Sequence, residues 1–198
     1  VSKKNNRNTK SKIIAAAWKL FYEQGYDDTT IEEIVEESKT SKGSFYHYFS
    51  GKDALLSSLS DLFDDQYQNL IPQLDDSMDS FDKLMYLNQE LFSMIDSSVS
   101  LDLVARLYSS QLITSGTRHL MDHSRVYYKL LRQITAEGQK RGELRGDVSV
   151  NEFVKAYALC ERALIYDWCI CNGEYSLCQY AKEMMPLFLA GFRKRDGN

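Results

Sequence analysis

Apolar residues recur at spacings of three and four along most of the chain, and alternating strand-like runs are absent. The pattern predicts an all-α protein. A first helix is expected over about Lys10 to Gln24, with Thr9 as its N-cap and Gly25 in the left-handed position beyond its end. Its stripe is Ile13, Ile14, Ala17, Leu20 and Phe21. Thr30-Ile31-Glu32-Glu33 fits a capping box and opens a short second helix that ends near Ser38. A third short helix covers about Ser41 to Tyr48. A fourth starts near Lys52 and carries Leu55, Leu59, Leu62, Phe63, Tyr67 and Leu70 toward Pro72, which should end it.

Longer helices follow, over about Phe81 to Ile95, Leu101 to Ile113 (closed by Ser115-Gly116) and Thr117 to Lys140. A polar loop around Gly142 to Asp147 precedes a second capping box, Ser149-Val150-Asn151-Glu152, which opens a helix to about Cys171. Asn172-Gly173 stops that helix, and Ser176 can cap a last one reaching about Phe192.

Composition refines this picture. The chain has 198 residues, of which 43% are hydrophobic, enough for a buried core. No run approaches the roughly 18 apolar residues of a membrane-spanning helix, so no membrane partner is expected. The polar start, Val1 to Arg7, gives a cytoplasmic protein as the default. The net charge of -4 would ordinarily argue against nucleic acid, but it is unevenly spread. Residues 1–52 carry nine basic and seven acidic side chains, and the remainder carries 15 and 21. A weakly basic N-terminal third therefore sits on an acidic body.

Two short helices joined by a tight turn, after a longer helix, suggest a helix-turn-helix. On a helical wheel Phe45 and Phe49 fall together with Tyr48 beside them and form the core face. Thr40, Gly43, Ser44, Tyr46 and His47 lie around the other side; all are small, hydroxylic or basic. Gly43 allows close backbone approach, Tyr46 and His47 can donate to phosphates, and Lys52 stands ready at the next helix. Periodicity alone also fits an ordinary surface helix in a bundle.

The stretch Thr9 to Leu56 resembles the DNA-binding domain of the tetracycline-repressor (TetR) family. The matching positions are Ala15-Ala16, Leu20-Phe21, Gly25-Tyr26, Thr29-Thr30, Ile31, Ile34, Ser41 to Phe49 and Lys52 to Leu55. The resemblance implies that Ser41, Lys42, Gly43 and Ser44 face the major groove. It implies that Tyr46, His47 and Lys52 hold phosphates, that Thr30 caps the second helix against the DNA backbone, and that the arm from Lys3 to Lys12 can follow an adjacent groove. The turn departs from the family pattern. Lys39 stands where a glycine would take positive φ, and Thr40 replaces an apolar packing residue and can turn toward DNA.

By the same resemblance, residues 1–52 form the helix-turn-helix domain and residues 53–198 a larger helical domain for ligand binding and dimerisation. The last two helices would pair with those of a second copy through Phe153, Tyr157, Leu164, Trp168, Leu177, Tyr180, Ala181, Met184 and Phe188. Phe63, Tyr67, Tyr86, Phe92, Tyr108, Met121 and Tyr127 are candidates to line an effector pocket, though such residues serve equally as plain core.

Cys160, Cys169, Cys171 and Cys178 lack a zinc spacing and read as free thiols, with a redox role as the lesser alternative. His119 and His123 are one helical turn apart but read as a solvated face rather than a metal pair. No catalytic constellation can be assembled, and neither metal nor cofactor is implied. The expectation is a ligand-responsive regulator, most plausibly a repressor. It would bind a palindromic double-stranded DNA operator as a homodimer and be released by an unidentified small-molecule effector. A protein-interaction adapter of the same fold, without DNA binding, is the alternative.

Overall fold

The computed structural model describes residues 2–113 and 118–194, with side chains from residue 9 onward. The described residues are helical throughout, with ten α-helices: α1 (Ser2–Gln24), α2 (Ile31–Glu37), α3 (Lys42–Tyr48), α4 (Lys52–Leu56), α5 (Ser58–Leu70), α6 (Ser80–Ser98), α7 (Leu101–Ile113), α8 (Val126–Arg141), α9 (Val150–Ile170) and α10 (Leu177–Leu189). Single 3-10 turns stand at Ile71–Gln73, His119–Met121 and Ala190–Phe192.

Both capping boxes form as expected. Glu33 N donates to Thr30 Oγ1 at 3.2 Å while Thr30 N donates back to Glu33 Oε2 at 2.7 Å. Ser149 and Glu152 repeat the arrangement. Gly25 takes its left-handed conformation at φ 89.

Three boundaries differ from the sequence reading. Helix α1 runs back to Ser2, because nothing in the polar N-terminal stretch breaks a helix, so Thr9 lies inside it. The helix expected from Lys52 to Pro72 is interrupted at Ser57. There the hydroxyls of Ser57, Ser58 and Ser60 donate to the carbonyls of Ala54, Leu55 and Ser57, which tightens the turn. The long helix expected from Thr117 starts instead at Val126. Asp122 Oδ1 accepts from Ser124 N at 2.8 Å and holds a turn just before it. Thr117 and Ser115-Gly116 lie outside the described residues.

Two compact units form. Unit 1 comprises residues 1–61 and 102–119, and unit 2 residues 62–101 and 120–198. Unit 1 extends past the expected boundary at residue 52 and also takes in most of α7. Unit 1 is built on Ile13, Ala17, Phe21, Ile34, Phe45, Phe49 and Leu55, all buried. Trp18 Nε1 donates to Ser58 Oγ at 2.8 Å and ties α1 to the start of α5. Arg106 of α7 pairs with Asp27 at 2.5 Å and lies over the Tyr26 ring at 4.8 Å.

Within unit 2, α6 lies against α10 and α8, and α9 against α8 and α10. Asp96 at the end of α6 accepts from Leu177 N, Cys178 N and Ser176 Oγ, so one carboxylate caps the start of α10. Glu143 does the same for Ser80 N at 2.9 Å. Gly138 lets α8 come close to Ser80 at the start of α6. A Cβ there would lie 2.7 Å from that of Ser80 and 2.8 Å from Leu144 Cδ1. Asp64 of α5 and Arg125 form an ion pair at 2.8 Å, with little of either side chain exposed.

At the centre of unit 2 lies a carboxylate. Glu161 is 4% exposed and accepts from Tyr127 Oη at 2.6 Å and Asn88 Nδ2 at 2.8 Å. Burial raises its carboxyl above the ordinary 4.5, partly offset by these donors, Tyr157 and Arg162. The folded protein therefore binds this proton more tightly than the unfolded chain does. The contribution to stability is present at low pH and is lost as pH rises from 4.5 through the higher folded value. Denaturant titrations from about pH 4 to about pH 8 should show E161Q losing this decline relative to the unsubstituted protein.

Candidate nucleic-acid interface and effector groove

The recognition surface is set by the turn between α2 and α3. Lys39 takes φ 52, the left-handed conformation expected at a glycine position, at a cost of about 1 kcal/mol. Its N–H donates to Glu36 O and that of Thr40 to Val35 O, which closes the end of α2. The Thr40 hydroxyl is bound to that of Ser38 at 2.8 Å, which turns it back onto the helix end. Ser41 is the N-cap of α3 and accepts from Ser44 N at 3.1 Å. Phe45 and Phe49 point into the core, leaving Lys42, Gly43, Tyr46 and His47 exposed on the opposite face. Lys42 forms a solvated ion pair with Glu32 at 2.5 Å, an exposed contact that a phosphate can replace.

Two of the expected DNA-contact residues make bonds within the protein. Lys52 is not free: its ammonium donates to the carbonyls of Tyr26 (2.6 Å), Thr29 (2.7 Å) and Asp27 (3.2 Å). It also sits 4.4 Å from the Tyr26 ring centroid. Lys52 therefore fixes the loop that leads into α2. The Tyr26 hydroxyl donates to Asp53, and burial together with that carboxylate holds the phenol proton on. Thr30 closes its capping box with Glu33, so the first turn of α2 already has a carboxylate. The side chains of Lys3, Lys4 and Arg7 lie outside the described residues.

Unit 2 carries a groove of about 650 Å³ between α8, α9 and the turn before α8. Arg132, Lys155, Arg162 and His123 line it, with no acidic side chain among the lining residues. Met121, Val154, Ala158 and the ring of Tyr128 supply its apolar surface. The groove is preformed: Tyr128 Oη donates to Leu120 O, Arg132 donates to His123 O at 2.9 Å, and the His123 ring lies 4.6 Å from that of Tyr128.

Of the expected pocket residues only Met121 lines this groove. Phe63, Tyr67, Phe92 and Tyr127 are core of unit 2. Tyr86 is half-buried with its hydroxyl on Gln73, and Tyr108 belongs to unit 1. An aromatic search favours residues that packing consumes. The charged residues of α8 and α9 that share a face with Val154 and Ala158 were the available signal.

The residues expected in the dimer stripe divide between core and surface. Phe153, Tyr157, Leu164, Trp168, Leu177 and Ala181 are buried inside the protomer. Tyr180 and Phe188 remain exposed, and Met184 half-exposed. On α9 the outward apolar residues are instead Leu159, Tyr166 and Ile170, joined on α10 by Leu187, which is 68% exposed.

Comparison with known proteins matches both parts of the chain. The family model for bacterial regulatory proteins of the tetR family covers residues 13–59, and that for the C-terminal region of YsiA-like proteins covers residues 62–191. The chain belongs to the TetR family. It is a DNA-binding transcriptional regulator of the helix-turn-helix type. The HTH-type transcriptional regulator HbdR of Aromatoleum sp. (strain CIB) is 28% identical over 194 residues, spanning 93% of this chain and 81% of HbdR.

Two solved TetR-like structures share the fold. Thermus thermophilus FadR, a repressor in complex with lauroyl-CoA, has a TM-score of 0.71 at 22% identity, covering 94% of this chain and 96% of that one. Bacillus subtilis FadR in complex with stearoyl-CoA has a TM-score of 0.70 at 20% identity, covering 92% and 98%. Among the described residues of this TetR-family chain no helix is long and apolar enough to cross a membrane, and no group of metal-ligating side chains is assembled.

Lys52 and His47 can be separated experimentally. Lys52→Met should lower the stability of the folded protein by about 1–3 kcal/mol in urea titrations, through the three hydrogen bonds it removes from the Tyr26, Asp27 and Thr29 carbonyls. His47→Ala should leave stability within about 0.5 kcal/mol and weaken binding to all DNA sequences alike in anisotropy titrations.

Proposed function

We propose that the protein is a transcriptional repressor that binds a palindromic operator as a homodimer and is released by an acyl-CoA thioester. The observation that carries the effector class is the groove of unit 2. Three permanent cations, Arg132, Lys155 and Arg162, stand around an apolar floor with no lining carboxylate, in a part of the chain whose overall balance is acidic. Guanidinium groups suit phosphates, and the apolar floor suits an acyl chain. The acyl-CoA complexes of the two FadR proteins support the same class.

The homodimer reading rests on the exposed apolar stripe of α9 and α10, formed by Leu159, Tyr166, Ile170, Leu187 and Phe188. Pairing these helices across a two-fold axis would bury them in a four-helix arrangement. Two recognition helices would then address half-sites about 34–36 Å apart, and an effector that alters this separation would end binding. Ser41, Lys42, Gly43, Ser44, Tyr46 and His47 are the residues proposed to face the DNA.

Fluorescence anisotropy with DNA from upstream of the protein's own coding region tests the reading. Decanoyl-CoA should release the DNA, and free decanoate should not. Arg132→Ser together with Arg162→Ser should raise the thioester concentration needed by about tenfold or more and leave DNA affinity without effector unchanged. Release that is indifferent to acyl-CoA would overturn the effector class. No salt-sensitive DNA binding at any site would favour the adapter reading instead.

A further inference from the structure

Behind the groove, unit 2 contains a buried polar cluster that apolar packing does not require. Glu161 is held by Asn88 and Tyr127, and the Tyr157 hydroxyl beside it donates to Leu84 O at 2.8 Å. Among the described residues no lysine or arginine forms an ion pair with Glu161. Asn88 is fully buried, and its Oδ1 has no hydrogen-bond partner among the described residues. A buried acceptor left without a donor is costly, and replacing such a group by an apolar one is often neutral or stabilising. The cluster therefore makes sense as one half of a contact.

Its position says what the other half is. The Tyr127 ring meets the Tyr128 ring edge-on with centroids 4.8 Å apart, and Tyr128 lines the groove. Ala158, one helical turn before Glu161 on α9, lines it as well. The contacts that link the cationic groove to the buried acceptor thus run through Tyr128, Tyr127 and Glu161.

We propose that the effector's acyl end passes Tyr128 and places a hydroxyl group against Asn88 Oδ1 and Glu161, so that the protein responds to hydroxyacyl thioesters more strongly than to plain saturated ones. This rests on the acyl-CoA reading above. A hydroxyl supplies the missing donor without carrying a charge into the core. The anionic end of the same molecule remains at Arg132, Lys155 and Arg162.

Calorimetric titration of the full chain tests the proposal. The probes are hexanoyl-, octanoyl- and decanoyl-CoA against their ω-hydroxy counterparts. At the chain length that fits, the hydroxy form should bind about tenfold more tightly, the worth of one buried hydrogen bond. Glu161→Gln puts an amide donor beside Asn88 and supplies what the ligand would bring, and Asn88→Leu removes the acceptor. In each the preference ratio should fall to about one, with DNA binding as the check that the variant is folded. Equal affinity of both series for the unsubstituted protein, or a preference that survives in both variants, overturns the proposal and leaves the acyl-CoA reading standing. Binding by neither series overturns both.

Discussion

The geometry of the DNA-binding unit depends on one ammonium group. Lys52 gathers the carbonyls of Tyr26, Asp27 and Thr29, three oxygens of the loop between α1 and α2. That loop delivers Thr30 to the start of α2, α2 delivers the turn at Lys39, and the turn aims α3. Tyr26 completes the arrangement, with Lys52 and Arg106 against its ring and Asp53 on its hydroxyl. A cation near a DNA-facing helix invites reading as a phosphate contact. Here the charge acts on backbone dipoles inside the protein and shapes the loop that leads into α2.

Local rules were legible wherever chemistry and geometry are tied within a few residues. Both capping boxes, the left-handed Gly25, the cap at Ser176 and the inward Phe45 and Phe49 follow from side chains a few positions apart. The left-handed Lys39 followed from the family pattern at the turn. Choices among faces were not legible. Helix α9 is apolar on more than one side, so its periodicity could not say whether Phe153 and Trp168 or Leu159 and Ile170 turn inward. Phe153, Tyr157 and Trp168 go to the core with Val154, Leu164 and Ile165, while Tyr166 stays outside with Leu159 and Ile170. The break at Ser57 was visible in principle, since Ser57, Ser58 and Ser60 lie within four residues, but back-bonding serines are also common in unbroken helices.

The role of Lys52 and the composition of the groove could not be read locally. Lys52 acts on residues more than twenty positions earlier, and the groove joins side chains from α8, α9 and the preceding turn. Both depend on the tertiary arrangement. The groove also qualifies the charge argument. An acidic body does not preclude an anion site, because fields at a surface are set by neighbours within about one Debye length, roughly 8–10 Å. Arg132, Lys155 and Arg162 make a local basin within a domain of opposite overall sign.

The left-handed Lys39 has an evolutionary consequence. Most amino acids bear a similar backbone penalty in that conformation, so exchange among them leaves the fold nearly indifferent, while glycine or asparagine would relieve it. Selection for rigidity alone would therefore remove the lysine. A position that is conformationally costly yet exposed can change its side chain in single steps, with the helices on either side left undisturbed.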